Sequence, residues 1–195
     1  QSLHAAGREA LAAIDAARGE VAALIGATAP EVHFVSGGTE ANNFALKGLA
    51  LGQQSRGRHV VVSAIEHSSV LNSVKALERQ GFGSTLVPVD RDGRVDPDDV
   101  AKALTKETVL VSVMTANSEV GTVQPVAEIA SVCRSRNVLF HTDAVAAAGN
   151  IPLDVKALGV DALSLAGDQF YGPKGTGALF VRKGVRVLPL VDGGI

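Results

Sequence analysis

The sequence has one cysteine, no tryptophan and few aromatic residues, which make up 4% of its 195 positions. The lone cysteine, Cys133, excludes an internal disulfide framework and any cysteine-rich metal site, and it is typical of a reducing compartment. We therefore predict a cytoplasmic protein without a metal site. Because aromatic residues are so few, the hydrophobic core must consist mainly of valine, leucine, alanine and isoleucine.

The chain also lacks a block of like charge and a long apolar run. Its 18 lysines and arginines nearly balance its 20 aspartates and glutamates, which gives a net charge of -2. This balance excludes a strong electrostatic attraction to nucleic acid or to an anionic membrane surface. No segment has the pattern of a signal peptide or of a membrane span. We expect neither nucleic acid nor a membrane as a partner.

Apolar runs alternate with helical patterns along most of the chain. The alanine-rich segment 2–28 has apolar residues at helical spacing, and Asp96 followed by Pro97 marks the start of a later helix. Nearly continuous aliphatic strands that alternate with helices are typical of a parallel sheet covered on both faces. We predict an α/β fold, a three-layer αβα sandwich with a mostly parallel central sheet. The last two predicted strands are GALFVRKG (177–184) and VRVLPLV (185–191).

Polar residues follow most of the predicted strands at the point where each strand ends. In open α/β sheets, ligands bind beyond the carboxyl ends of the strands. We therefore expect these residues to converge on one edge of the sheet, with Gly38, His67, Asp143 and Gln169 among them. The full set comprises residues 36–39, Glu66, His67, Asn117, Ser118, Thr142, Asp143 and residues 166–169.

Taken singly, these residues leave two interpretations open. The turn SGGTEAN (36–42) suits an anion, because free N–H groups and the helix dipole attract one, but it also suits a plain βα turn. His67 could stack on a ring or relay a proton, or it could be a turn histidine satisfied by hydrogen bonds. Asp143 could bind a ligand or cap the next turn. Lys174 is expected to be solvated in its Gly-Pro turn, and Cys133 to be a packed thiol.

Taken together, the motifs are more specific. SGGTEANNFALKG, EHSSV, MTANSEVGTVQP, HTDAV and YGPKGTGAL occur in this order over essentially the whole chain. With them the sequence resembles the cysteine desulfurases, in the class V aminotransferase branch of the fold-type I pyridoxal-phosphate (PLP) enzymes. The resemblance implies a three-layer αβα large domain, a homodimer, and PLP-dependent removal of sulfur from L-cysteine to leave alanine. The sulfur would then pass as a persulfide towards iron–sulfur clusters.

The same resemblance implies roles for individual residues. Gly38 and Thr39 match the turn that holds the PLP phosphate in the family. His67 matches the histidine that stacks on the pyridine ring and helps to move protons. Asp143 matches the carboxylate that pairs with the pyridine nitrogen, which keeps the ring protonated so that it can act as an electron sink.

Several cofactor positions depart from the family pattern. Gln169 occupies the position of the lysine that forms the Schiff base, and a glutamine amide is not a nucleophilic amine. Ala166 and Asp168 replace a hydroxyl and an imidazole that contact the phosphate, and the charge of Asp168 would repel a dianion. The remaining departures are Ser118, Ala146 and the sequence DGG at 192–194, where the family often has HGG.

These departures favour a cysteine desulfurase-like scaffold that is catalytically inactive and binds PLP weakly and non-covalently at most. It would be a natural pseudoenzyme fragment or an engineered minimal domain. The alternatives are a functional PLP-dependent desulfurase and a non-covalent binder of PLP or phosphate. Lys174 and Lys47 do not support a functional PLP-dependent desulfurase, because both match family positions that do not bond PLP. We expect residues 1–195 to be a single large domain that is truncated at both ends relative to the family and lacks its C-terminal small domain.

Overall fold

Seven strands form one sheet in the computed structural model, which describes residues 4–193. The strands are β1 (Val32–Val35), β2 (His59–Ser63), β3 (Gly83–Val87), β4 (Thr108–Ser112), β5 (Leu139–Asp143), β6 (Ala162–Ala166) and β7 (Gly177–Val181). Their order across the sheet is β1-β7-β6-β5-β4-β2-β3. Neighbours from β6 to β3 pair in parallel, whereas β7 is antiparallel to both β1 and β6. The predicted α/β fold with a mostly parallel sheet is confirmed.

Helices cover both faces of the sheet. They are α1 (Ala5–Leu24), α2 (Gly38–Gly52), α3 (Ser68–Glu78), α4 (Pro97–Ala103), α5 (Val126–Ser135) and α6 (Val155–Leu158). Buried residues of α2 and α3 form one core cluster, and those of α1, α4, α5 and α6 form the other. The predicted cap of α4 is confirmed, because Asp96 accepts a hydrogen bond from the Asp98 N–H at 2.8 Å. Within residues 4–193, no helix is long and apolar enough to cross a membrane.

The strand side chains alternate between the two core layers. In β2, Val60 and Val62 pack with α2 and α3, while Val61 points into the opposite cluster. All three are fully buried, so the strand is aliphatic without interruption. Cys133 lies on the core face of α5, and burial raises the pKa of its thiol to about 12. It is a packed thiol, as the sequence predicted.

Strand β7 fixes the edge of the sheet where the polar residues gather. Its first residue, Gly177, pairs with Val35 at the end of β1 and with Ala166 at the end of β6. A Cβ atom at Gly177 would lie 2.6 Å from the Gly37 Cα, so the two backbones touch. The start of α2 and the hairpin loop 167–176 are therefore neighbours.

The sequence predictions of secondary structure contain one wrong strand and miss one short helix. The segment 185–191 was expected to be a strand, but it lies over α2, where the Leu188 N–H donates to the Gly48 carbonyl at 3.0 Å. Both sides of β7 are already paired, and Pro189 has no N–H for a ladder. The single-turn helix α6, capped by Asp154, was not expected because four residues give too short a periodic pattern. The expectation about Gly194 lies outside the described residues.

The contact between Gly37 and Gly177 yields a stability prediction. Gly177→Ala should lower the free energy of unfolding by at least about 2 kcal/mol, because the new methyl group meets rigid backbone. Gly19→Ala is the matched control: it lies within α1 with open space around its Cβ position, and it should stabilise by about 0.5–1 kcal/mol. Urea unfolding measures both changes. Equal effects of the two substitutions would contradict the assigned contact.

Candidate functional site

A cavity of about 280 Å³ opens at the carboxyl edge of the sheet. Its walls come from the start of α2 and from the segments that follow β2, β4, β5 and β6. It is lined by Gly38, Thr39, Asn42, His67, Met114, Ala116, Ser118, Asp143, Val145, Ala146, Ala166, Asp168 and Gln169. The expected convergence of Gly38, His67, Asp143 and Gln169 on one edge is therefore confirmed.

The lining also includes the other residues that the sequence marked as cofactor positions. These are Thr39, Ser118, Ala146, Ala166 and Asp168. Lys47, Lys174 and Cys133 do not line the cavity. Lys47 donates instead to the Asn43 side chain at 2.7 Å. Among the described residues, no group of three or more histidine, cysteine or acidic side chains is arranged to hold a metal ion.

Asp143 forms a buried acidic wall of the cavity. One carboxylate oxygen accepts a hydrogen bond from the Val145 N–H at 2.9 Å, and the other accepts from the Asn42 amide at 2.6 Å. Burial raises the pKa of Asp143, and the two hydrogen bonds and the nearby His67 oppose that rise. The carboxylate is thus held in one orientation at the end of β5.

His67 is both the N-cap of α3 and part of the cavity wall. Its Nδ1 accepts from the Ser69 N–H at 3.2 Å and lies 2.7 Å from the Ser69 hydroxyl. An accepting Nδ1 leaves the ring proton on Nε2. The Ser69 hydroxyl also accepts from Asn42 at 2.9 Å, so a continuous chain of hydrogen bonds joins His67 to Asp143. His67 is therefore a turn histidine satisfied by hydrogen bonds, and it also lines the cavity.

Sequence reasoning placed Glu66 among the polar residues at the strand ends but gave it no role, and the structure shows it as a buried carboxyl group. Its Oε1 accepts from the Ser63 hydroxyl at 2.6 Å and from the Met114 N–H at 2.7 Å, while Oε2 has no hydrogen-bond partner. Burial raises the pKa of Glu66 to about 8, and the neighbouring Asp143 contributes to the rise. Glu66 is therefore a neutral acid at pH 7. The sequence did contain one indication of this burial, because Glu66 directly follows the apolar run 59–65.

Sequence reasoning also missed His141, which lies inside the sheet. Its two ring nitrogens lie 2.8 Å from the Ser112 hydroxyl and 2.9 Å from the Ser164 hydroxyl. Burial lowers the pKa of His141 to about 3, so the ring is neutral at physiological pH. It joins three strands beneath the site and takes no part in the cavity wall.

The loop 167–176 closes one side of the cavity. It begins with a 3₁₀ helix, Gly167–Phe170, and the Gly167 N–H donates to the Thr176 carbonyl at 2.9 Å. Phe170 packs against the core, which anchors the loop, while Asp168 and Gln169 remain exposed at the cavity. The loop is thus a defined structure that presents a carboxylate and an amide.

The start of α2 closes an adjacent side. A Cβ atom at Gly38 would lie 2.6 Å from a methyl carbon of Val145 and 3.5 Å from the Ala166 Cβ. Glycine therefore lets the helix approach the ends of β5 and β6 closely. The helix N-terminus carries partial positive charge at the cavity, and Glu40 in its first turn partly offsets that charge.

Comparison with known proteins places this geometry in a family. The sequence pattern of the aminotransferase class-V family matches residues 1–194. The chain belongs to the class-V aminotransferase family. Among its members the sequence is similar to the cysteine desulfurases, whose cofactor is PLP.

Three relatives show the extent of the similarity. The cysteine desulfurase IscS of Dictyoglomus turgidum is 49% identical over 193 residues, which are 99% of this chain and 49% of that protein. A NifS-like protein of known structure has a TM-score of 0.95 at 40% identity, over 99% of this chain and 53% of that one. The structure of SspA in complex with cysteine has a TM-score of 0.94 at 38% identity, over 100% and 56%. The chain thus spans about half the length of these relatives.

PLP as a covalently attached, phosphate-anchored cofactor would require two features of the cavity. Attachment requires an amine, and no lysine lines the cavity. A phosphate dianion requires positive charge or hydrogen-bond donors; the N-terminus of α2 with Thr39 offers these on one side of the cavity, whereas the hairpin loop presents the carboxylate of Asp168. Only the buried Asp143 and the ring of His67 are suited to a pyridine ring.

The buried Glu66 yields a prediction about pH. From about pH 5 to about pH 8 the native protein holds this proton while the unfolded chain releases it, so the free energy of unfolding falls as the pH rises. Glu66→Gln mimics the neutral acid and removes this loss. Relative to the unsubstituted protein, it should gain on the order of 3–5 kcal/mol of stability between about pH 5 and about pH 9. Urea unfolding at the two pH values measures the gain, and a pH-independent difference would contradict it.

Proposed function

We propose that this chain is a cysteine desulfurase-like large domain that does not catalyse PLP chemistry. The observation that carries the proposal is Gln169 in the cavity wall, at the position that the family resemblance assigns to the Schiff-base lysine. Covalent PLP catalysis begins from an amine, and the amide nitrogen of glutamine is not nucleophilic because its lone pair is delocalised. The similarity to IscS supports the scaffold part of the proposal.

No lysine among the described residues lines the cavity in place of Gln169. Lys47 is held by Asn43 on α2, and Lys174 lies in an exposed turn of the hairpin loop. Neither reaches the lining of the cavity. A functional PLP-dependent enzyme, the first alternative, would require one of these residues to leave its position and enter the site.

Charge supports the same conclusion. Asp143 and Asp168 both line the cavity, which includes no lysine or arginine. Ala166 offers no hydroxyl to a phosphate, and Asp168 adds repulsion. Covalent attachment and phosphate binding are therefore both weakened. Roles for Gly38 and Thr39 as a phosphate turn, and for His67 as a ring-stacking group, remain proposals by family resemblance.

A second candidate function is non-covalent binding of a small ring compound. It is favoured by the intact chain of hydrogen bonds from His67 through Ser69 and Asn42 to Asp143. A buried, oriented carboxylate beside an aromatic side chain is suited to a ligand that carries an N–H group. If this arrangement binds PLP, the cofactor of the family, we expect the binding to be weak and non-covalent.

We also propose that the chain forms a homodimer, as the family resemblance implies. Helix α1 supports this, because Leu11, Ile14 and Leu24 are each more than two-fifths exposed and only Ala22 of the helix is buried. Exposed apolar side chains grouped on one helix favour association. Sedimentation velocity at micromolar concentration should report a dimer, and a monomer at all concentrations would refute the proposal.

The proposed loss of catalysis is tested with PLP and L-cysteine. The purified protein mixed with PLP should show no visible aldimine absorbance, and it should release no sulfide from L-cysteine above a control with free PLP. The physical reason is the absence of an amine in the cavity. Saturable aldimine absorbance or sulfide release above the control would refute the proposal.

Restored variants show that the assay can detect a repaired site. Gln169→Lys alone should give weak aldimine absorbance, because Asp168 still repels the phosphate. Adding Asp168→His and Ala166→Ser restores two charge-assisted contacts, each worth about 1.5–3 kcal/mol. The triple variant should therefore bind PLP at least about tenfold more tightly than the single variant. Equal affinities would mean that residues 166 and 168 do not face the phosphate.

A further inference from the structure

Another cavity, of about 330 Å³, lies at the amino edge of the sheet, away from the site described above. It lies between the end of α5, the start of β5, the turn before β6 and the segment after β7. Its lining includes Arg134, Asn137, Gly159, Asp161 and Arg182, and none of these residues lines the first cavity. Two of the five are arginines, so the chemistry of this cavity depends on how their guanidinium groups are held.

Asp161 holds the guanidinium group of Arg182 in one orientation. Its Oδ1 accepts hydrogen bonds from Nε of Arg182 at 2.9 Å and from Nη2 at 2.6 Å. Its Oδ2 accepts from the Phe140 N–H at 2.9 Å. Both carboxylate oxygens are therefore occupied, whereas two of the five N–H groups of Arg182 are used and three remain for another partner.

Arg134 is held by the turn that precedes β6. It lies in the last turn of α5, and its Nη2 donates to the Gly159 carbonyl at 3.1 Å. A Cβ atom at Gly159 would overlap with Nη2, so the guanidinium group packs directly on the backbone of this turn. Among the described residues this is its one hydrogen bond, and the other guanidinium N–H groups of Arg134 are available to a ligand.

The charges around the cavity leave a positive excess. Asp161 is the one acidic residue in the lining, and its charge is already paired with Arg182. Arg134 is not paired with a carboxylate, and Arg56 adds a third guanidinium group nearby by donating to the Asn137 carbonyl at 2.8 Å. The end of α5 contributes a partial negative charge of about half an elementary charge, which is less than the charge of either unpaired guanidinium group.

We propose that this cavity binds a dianionic phosphate group, as inorganic phosphate or as a small phosphate monoester. Its polar lining offers donors from three segments: Arg134 from α5, the side-chain amide of Asn137 from the next turn, and Arg182 from the segment after β7. A phosphate has three terminal oxygens to accept from such donors, whereas a carboxylate has two. Guanidinium groups bind phosphate oxygens in pairs, and both groups here are already oriented by the protein.

Titration with inorganic phosphate at about pH 8, followed by ¹H–¹⁵N NMR, tests this site, since phosphate is then mostly dianionic. Low ionic strength keeps screening weak. The backbone N–H signals of Asn137 and Gly159 and the Nε–H signal of Arg182 should shift and saturate in the millimolar range. Methyl phosphate should give the same shifts, and their absence with it alone would restrict the site to free phosphate. Sodium chloride at matched ionic strength should give no saturable shift.

Arg134→Gln should weaken phosphate binding by at least about fivefold, because it removes an unpaired charge and its donors. Arg79→Gln is the matched control: it makes the same charge change at an exposed position, the C-cap of α3, outside this cavity. It should leave the affinity within about twofold. Arg182→Lys keeps a cation beside Asp161 but lacks the planar fork, so it should weaken binding by at least about threefold.

Three results would overturn the inference. The first is the absence of saturable shifts at Asn137, Gly159 and Arg182 in the millimolar range. The second is equal weakening by Arg134→Gln and Arg79→Gln, or none by either, which would mean a non-specific or different binding site. The third is acetate binding as tightly as phosphate, which would remove the assignment to a dianion. Each variant replaces an exposed side chain, so the fold is expected to persist. The test is independent of PLP chemistry in the first cavity.

Discussion

The antiparallel insertion of β7 between β1 and β6 is the constraint on which the site depends. It turns the connection after β6 into a short hairpin, so Asp168 and Gln169 stay at the edge where the parallel strands end. The direct backbone contact of Gly177 with Gly37 then sets the spacing between this hairpin and α2. Any side chain at Gly177 would push the two walls of the cavity apart.

Within that frame, the part of the cavity wall formed by Asp143 and His67 is held by buried polar groups. The carboxylate of Asp143, the amide of Asn42 and the hydroxyl of Ser69 form one connected network that ends on His67. The Asn42 Oδ1 atom already has no hydrogen-bond partner, and a rearrangement would leave further buried polar atoms unpaired, so the network restricts the arrangements that its members can adopt. The hairpin loop carries fewer constraints, because Asp168 and Gln169 are exposed there. Substitutions at these two positions change the chemistry of the site without disturbing the core.

Much of the architecture follows from local sequence patterns. Continuous aliphatic runs predicted β2 and β4, and the rule that ligands bind beyond strand ends predicted which residues meet at the cavity. The antiparallel direction of β7 and the path of residues 185–191 over α2 depend on which strand edges are occupied, and local patterns do not encode that. The raised pKa of Glu66 depends likewise on burial supplied by distant segments.

The central claim is that a cysteine desulfurase-like scaffold here surrounds a cavity without a reactive amine. Borohydride reduction of the chain with equimolar PLP, followed by mass mapping of its peptides, tests this most directly because it traps any imine. The account predicts no stoichiometric phosphopyridoxyl label on any lysine, including Lys47 and Lys174, since neither lines the cavity. A stoichiometric label on a single lysine would contradict it.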